Sequence, residues 1–231
     1  MQDPAVPEGP PYGSINVLYE DEAYVVFDKP PGLLVIPTPH QETNTLADLV
    51  NRACALRGEN FRLHPCHRLD RETSGAIIFA KGKKNQQLLM ELFHRRAVSK
   101  KYLAFVHGRL PKPRGEFRSA IRGFEERKFH KNPHAKLAIT RYNVVQVKKR
   151  FSVVEVFPMT GRTNQIRIQF SEAGFPLVGE RKYAFAKDFV LKFRRAALHA
   201  SDVQFTHPLN RKKMHIVSPL PADMKNFLGT H

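Results

Sequence analysis

The sequence predicts an α+β fold, with helices packed on a mostly antiparallel sheet. Three observations predict it: strand-like and helix-like stretches alternate irregularly, short turns separate the strands, and neither an internal repeat nor a linker breaks the chain.

Residues 1–13 are rich in Pro and Gly and read as a mobile leader, so the folded domain is expected over 14–231. Residues 15–19 and 24–28 read as short strands around the acidic turn Glu20-Asp21-Glu22. Lys29-Pro30-Pro31-Gly32 is a turn by its chemistry. Residues 45–57 place Leu46, Leu49, Val50, Ala53 and Leu56 at helical spacing, and residues 84–97 repeat the pattern with Leu88, Leu89, Leu92 and Phe93. Arg95 and Arg96 complement the dipole at the end of that second helix. Residues 102–107 follow as a strand. From 117 to 157 the pattern is mainly β, with 139–147 and 151–157 paired across Lys148-Lys149-Arg150. Residues 163–173 form a short helix closed by Gly174. Late strands at 197–205 and 214–217 precede a terminal helix at 221–228.

The 231 residues are 42% apolar and include seventeen Phe, enough for a sizeable core. No run of about 18 apolar residues suggests a membrane span, and Met1-Gln2-Asp3-Pro4 does not resemble a signal peptide. These features predict an intracellular, cytoplasmic protein. Lys plus Arg number 38 against 21 Asp plus Glu, a formal charge of +17 and a pI near 10.1. That surplus suits a polyanion, nucleic acid first. The basic residues recur at 81–84, 95–101, 148–150, 194–195 and 211–213, as on a broad folded face. Two cysteines, Cys54 and Cys66, exclude a disulfide framework. His64, Cys66 and His67 crowd three potential ligands into four residues without a partner pair, and Pro133 breaks the helix that would align His130 with His134. No phosphate-binding glycine loop or dinucleotide fingerprint occurs, so neither metal nor cofactor is expected.

The chemistry concentrates in His67-Arg68-Leu69-Asp70-Arg71-Glu72-Thr73-Ser74-Gly75. Asp70 stands between Arg68 and Arg71, and nearby positive charge favours an ionised carboxylate. Such a group suits a nucleophile or an anionic stabiliser better than a general acid. The apolar run at 76–80 follows, so the loop sits at the mouth of a buried strand, a rigid platform for a catalytic group. A purely structural Arg–Asp pair fixing the turn is the alternative.

These nine residues closely resemble the catalytic signature of the RluA-type pseudouridine synthases. Lys100-Lys101-Tyr102-Leu103-Ala104 resembles that family's second motif. Gly161-Arg162-Thr163-Asn164-Gln165-Ile166-Arg167-Ile168 resembles its third, with Pro176-Leu177-Val178-Gly179 after it. Leu198-His199-Ala200 and His207-Pro208 resemble its C-terminal segment. The resemblance runs from about Ile15 to about Phe227, and it implies one catalytic domain with a bent, mostly antiparallel mixed sheet flanked by helices and a central RNA-binding cleft. It also implies an RNA substrate (rRNA or tRNA), no S4-type RNA-binding domain, no cofactor and a monomer.

The resemblance assigns roles residue by residue. Asp70 is the essential aspartate. Tyr102 stacks on the uracil and assists removal of the C5 proton, and Arg167 pairs with Asp70. Arg68 is expected to contact RNA and fill the gap left by the flipped base. Ile166 is a candidate apolar wall for uracil, with core packing the alternative. Arg162 and Lys100 are candidate phosphate contacts. Thr73, Ser74 and Gly75 are read as structural. Two positions depart from the family pattern, where Asn164 and Gln169 stand in place of histidines. The competing functions are a catalytically inactive RNA-binding or ribosome-assembly protein on the same fold, and a base-excising glycosylase using Glu72 as a second carboxylate.

Overall fold

The computed structural model describes residues 12–121, 135–184 and 191–231. The leader up to residue 11, the stretch 122–134 within the expected β region, and with it His130 and His134, lie outside the described residues. The chain forms two compact units, Met1–Val98 with Val203–Pro219, and Ser99–Asp202 with Leu220–His231. All the strand pairs described below are antiparallel.

In the first unit, β1 (Asn16–Glu20) and β2 (Tyr24–Lys29) form a hairpin. Its turn is closed by Asp21, whose Oδ1 accepts the N–H groups of Ala23 and Tyr24, each at 2.8 Å. Tyr12, within the expected leader, is buried against Phe27, with ring centroids 4.9 Å apart. Helix α1 (Leu46–Leu56) starts at Thr45, where a capping box with Asp48 satisfies two backbone donors that the first turn leaves over. Strand β3 (Leu63–Pro65), which three residues are too few to announce by periodicity, is held to α1 by Asn51. The Asn51 amide donates to the Leu63 carbonyl at 2.9 Å and its Oδ1 accepts the Leu63 N–H at 2.8 Å. Strand β4 (Ser74–Lys81) lies between β2 and β3 and is buried along nearly its whole length, which is why the sequence there reads as a continuous apolar run.

Helix α2 (Lys83–His94) ends three residues before its apolar pattern does. Arg96 adopts φ +57, and the N–H groups of Arg96 and Ala97 close on the carbonyls of Phe93 and Leu92. That pair of bonds is a Schellman closure, here with Arg where Gly is usual, so Arg96 lies beyond the helix rather than on its last turn. The core beneath joins Tyr24, Val26, Ile78, Ala80 and Leu89 with Val203, Phe205 and Ile216. Two of these come from the end of β9 (Leu198–Thr206), a strand shared by both units, and Ile216 from β10 (Lys213–Val217).

In the second unit the order is β5 (Ser99–His107), β8 (Phe151–Pro158), β7 (Lys136–Val147), β6 (Arg114–Ile121). The β7–β8 hairpin is the expected one. Register puts Tyr102, Val156, Tyr142 and Gly115 in one row on one face. Helix α3 (Gln165–Glu172) covers that face, with Phe170 packed 4.9 Å from Phe117 and 5.9 Å from Tyr142. The opposite face carries Phe105 and Phe151 against Phe227 of α4 (Ala222–Thr230). Gly174, at φ +83, ends α3 as expected, through a Schellman closure of Gly174 and Phe175 on Ser171 and Phe170.

Candidate active site

The Asp70 loop is a short excursion between paired strands. Cys66 extends the pairing with its N–H on the Ile78 carbonyl, and His67 Nε2 accepts the Ile78 N–H at 3.1 Å. That bond fixes the tautomer, because a ring nitrogen that accepts carries no proton. The His67 ring packs 5.1 Å from Phe93. Leu69 is buried and anchors the loop, Arg68 and Arg71 are exposed, and Asp70 is half-buried. The Asp70 carbonyl accepts the Thr73 N–H at 3.1 Å, which turns the chain into β4, where Thr73 and Ser74 are buried.

A second turn braces the first. Arg71 Nε donates to the Gly32 carbonyl at 3.0 Å, and the Gly32 N–H donates to the Arg71 carbonyl at 2.8 Å. Lys29, fully buried, donates from Nζ to the carbonyls of Pro30 (2.9 Å), Leu33 (2.8 Å) and Arg71 (3.2 Å). An ammonium has three N–H donors, and these carbonyls accept from them. The Lys29-Pro30-Pro31-Gly32 turn is therefore more than a connection: it carries the clamp that shapes the neighbour of Asp70.

Tyr102 and Arg167 lie in the second unit. Tyr102 is buried on β5, on the face that α3 covers. Ile166 and Arg167 are buried on α3 itself. The helix is moored by two glutamines. Gln165 Nε2 donates to the Ile139 carbonyl and to Thr140 Oγ1, while its Oε1 accepts from Thr160 and from the Arg162 N–H. Gln169 donates to Ser119 Oγ and the Ala138 carbonyl, both at 3.1 Å. An amide thus serves at 169 as a mooring to β6 and β7.

Asn164 precedes α3 at φ +55, which is why the helix starts two residues later than the sequence pattern suggests. Asn and His are both enriched in this left-handed region, so the backbone accommodates the departure at this position. Asn164 Oδ1 accepts from Arg167 Nη1 at 3.2 Å.

Arg167 is not a solvated helix charge. Its Nε and Nη2 grip Glu180 Oε2 and Oε1 at 2.7 and 2.8 Å, a bidentate pair with the Glu180 side chain fully buried. Tyr183 stands under the guanidinium, 5.5 Å from it. Burial pushes the Glu180 carboxyl up. The hydrogen bond and charge of Arg167, with the backbone N–H groups of Lys182 and Tyr183, outweigh burial and hold it below the usual carboxylate range. Gly179, at φ +80, leads into that turn, and a Cβ there would collide with the Arg195 carbonyl.

Of the other expected contacts, Arg162 is exposed and its Nε donates to the Leu137 carbonyl at 3.2 Å. Lys100 is half-buried, and burial pushes its ammonium pKa down. Cys66 is buried and its thiol is pushed up to about 12. Among the described residues no three His, Cys, Asp or Glu side chains gather as a metal site. Two of the buried charges, Lys29 and Glu180, bear on the site and escape the sequence reading. Their only signals are a lysine directly before Pro-Pro-Gly at a strand end, and a carboxylate directly after Pro176-Leu177-Val178-Gly179.

Residues 23–172 match the family described as RNA pseudouridylate synthase. An uncharacterized RNA pseudouridine synthase of Bacillus subtilis, YhcT, is 34% identical over 96% of this chain and 74% of its own length. Ribosomal large subunit pseudouridine synthase C of Buchnera aphidicola (subsp. Baizongia pistaciae) is 32% identical, over 92% of this chain and 69% of its own. Among solved structures, human RNA pseudouridylate synthase domain containing 4 shares the fold, with a TM-score of 0.77 at 24% identity over 92% of this chain and 91% of that one.

Proposed function

We propose, for a chain that belongs to the RNA pseudouridylate synthase family, that it isomerises specific uridines of rRNA or tRNA through the Asp70 carboxylate. Large-subunit rRNA is the first target class to try, since relatives from Buchnera and Blochmanniella at 31–32% identity carry ribosomal large subunit names. The observation that carries the reading is the bracing of the Asp70 loop. A buried ammonium and a reciprocal pair of backbone and guanidinium bonds fix the loop, in which Asp70 is half-buried. Groups held this way have little reorganisation left to undergo during reaction.

The reaction breaks N1–C1′, rotates the uracil and forms C5–C1′. A proton leaves C5 and one is gained at N1, so no redox partner enters. The base leaves its stack to reach the carboxylate. Asp70 is the essential group. Tyr102 stacks on the base and assists removal of the C5 proton. Arg167 is the counter-ion of Asp70, and Ile166 supplies apolar contact. Arg68, exposed beside Asp70, enters the RNA, since a guanidinium both stacks and binds phosphate. Arg162 and Lys100 contact phosphates. Residues 14–231 act as one catalytic domain, a cytoplasmic monomer. No helix among the described residues is long and apolar enough to cross a membrane.

The test is tritium release from C5 of labelled uridine in unmodified tRNA, naked rRNA and ribosomal particles, for wild type and Asp70→Asn. Release by wild type alone supports the reading, and the responding pool names the substrate class. RNA binding with no release from any pool would favour an inactive binding protein instead.

A further inference from the structure

Arg167 has five N–H donors, and their allocation is specific. Glu180 takes the one on Nε and one on Nη2, and Asn164 takes one on Nη1. Each terminal nitrogen carries one N–H besides these, and the bidentate grip of Glu180 on Nε and Nη2 sets the plane in which they lie. Which edge of Arg167 points where is thus decided by Glu180, thirteen residues away on a different turn.

Glu180 is itself firmly held. Its Oε1 accepts from Arg167 Nη2, from the Lys182 N–H at 2.8 Å and from the Tyr183 N–H at 3.3 Å, while Oε2 accepts from Arg167 Nε. Every neighbour donates. The position therefore requires acceptors at both oxygens, which a carboxylate supplies and an amide does not. The collision that any Cβ at Gly179 would make with the Arg195 carbonyl fixes the backbone leading into this turn.

We propose that Glu180 is the positioning residue for Arg167. It orients the guanidinium for the reacting complex and offsets the charge that Arg167 brings there. The proposal rests on the reading that Arg167 serves the isomerisation. Glu180 never touches RNA in this scheme and acts only through Arg167. A cation without its buried counter-charge would stabilise a nearby carboxylate more strongly and make it a poorer nucleophile. A cation without its bidentate grip would also wander, and misplacement by about 1 Å is enough to cost on the order of 100-fold in rate.

The experiment is a double-mutant cycle on single-turnover pseudouridine formation, using Glu180→Gln, Arg167→Met and the double variant, with RNA affinity measured in parallel. Glu180→Gln is expected to lower the rate about 100-fold and to leave the Kd for RNA within about two-fold, because affinity rests on the basic surface. Its pH–rate profile should shift, with the acid limb moving to lower pH as the uncompensated cation depresses the essential carboxylate. In the Arg167→Met background the same substitution should cost less than about two-fold, since coupled residues are not additive. Glu180→Asp keeps the charge at shorter reach and should recover part of the rate with the wild-type acid limb. If Glu180→Gln melts below the assay temperature, Glu180→Asp carries the cycle. Wild-type rate in either Glu180 variant, or an undiminished penalty without Arg167, overturns the positioning role while leaving the functional reading intact. A wild type that forms no pseudouridine on any RNA overturns that reading, and the proposal with it.

Discussion

Replacing Lys29 by Met tests whether the Asp70 loop is held by a buried ammonium. The substitution keeps length and apolar stem but removes three charge-assisted hydrogen bonds, to Pro30, Leu33 and Arg71. The Arg71 carbonyl keeps the Gly32 N–H, so two carbonyls lose the donor that the ammonium supplied. Hydrogen bonds to a charged donor are worth about 1.5–3 kcal/mol each, and less where water can take the donor's place, as at the exposed Pro30. Relief of the ammonium's own desolvation offsets part of this. The net loss is about 2–4 kcal/mol, on the order of 4–16 °C in Tm for a chain of this size. Urea unfolding followed by circular dichroism measures it, and single-turnover rates on bound RNA report the loop. The rate should fall while RNA affinity holds, since Lys29 is fully buried. Stability within about 0.5 kcal/mol of wild type, the range of an inert surface change, would refute the clamp.

Three further outcomes follow from buried groups. Cys66, with its thiol pushed up to about 12 by burial, and Cys54, also raised by burial, should resist a thiol reagent at pH 8 in the native protein and react once it is unfolded in urea; rapid native labelling would contradict their burial. Burial pushes His107 down to about 4. Its folded pKa lies below the unfolded value, so the stability carried by the neutral ring is fully present above about pH 6.5 and is lost as pH falls toward 4; His107→Phe should flatten the stability curve across that window, and an unchanged acid slope would count against it. Thr45→Ala removes one half of the α1 capping box and should cost about 1 kcal/mol in urea unfolding, with no loss meaning that the box is not formed in solution.

What the sequence makes legible depends on how local the physics is. Helix α1 was readable because its apolar spacing and capping residue lie within a dozen positions. Strand β4 was readable because burial on both faces writes an unbroken apolar run. The end of α2 was not readable, since an arginine rather than a glycine takes the left-handed closing position at residue 96. Strand β3 owes its existence to Asn51 and β4, not to its own three residues. The site divides in the same way. Asp70, Tyr102 and Arg167 stand out through motifs contiguous in sequence. Lys29 and Glu180 are defined by their partners. The Arg71 carbonyl lies 42 positions from Lys29, and no pattern along the chain marks either residue as a buried charge.

The most direct measurement is the identity of the product. RNA treated with wild type and with Asp70→Asn would be digested to nucleosides and separated, and any free base released would be collected. The account predicts that wild type converts uridine to pseudouridine with no uracil set free, and that Asp70→Asn binds the same RNA without converting it. Free uracil from wild type, or pseudouridine formed by Asp70→Asn at the wild-type rate, would contradict the central claim that the Asp70 carboxylate carries an isomerisation.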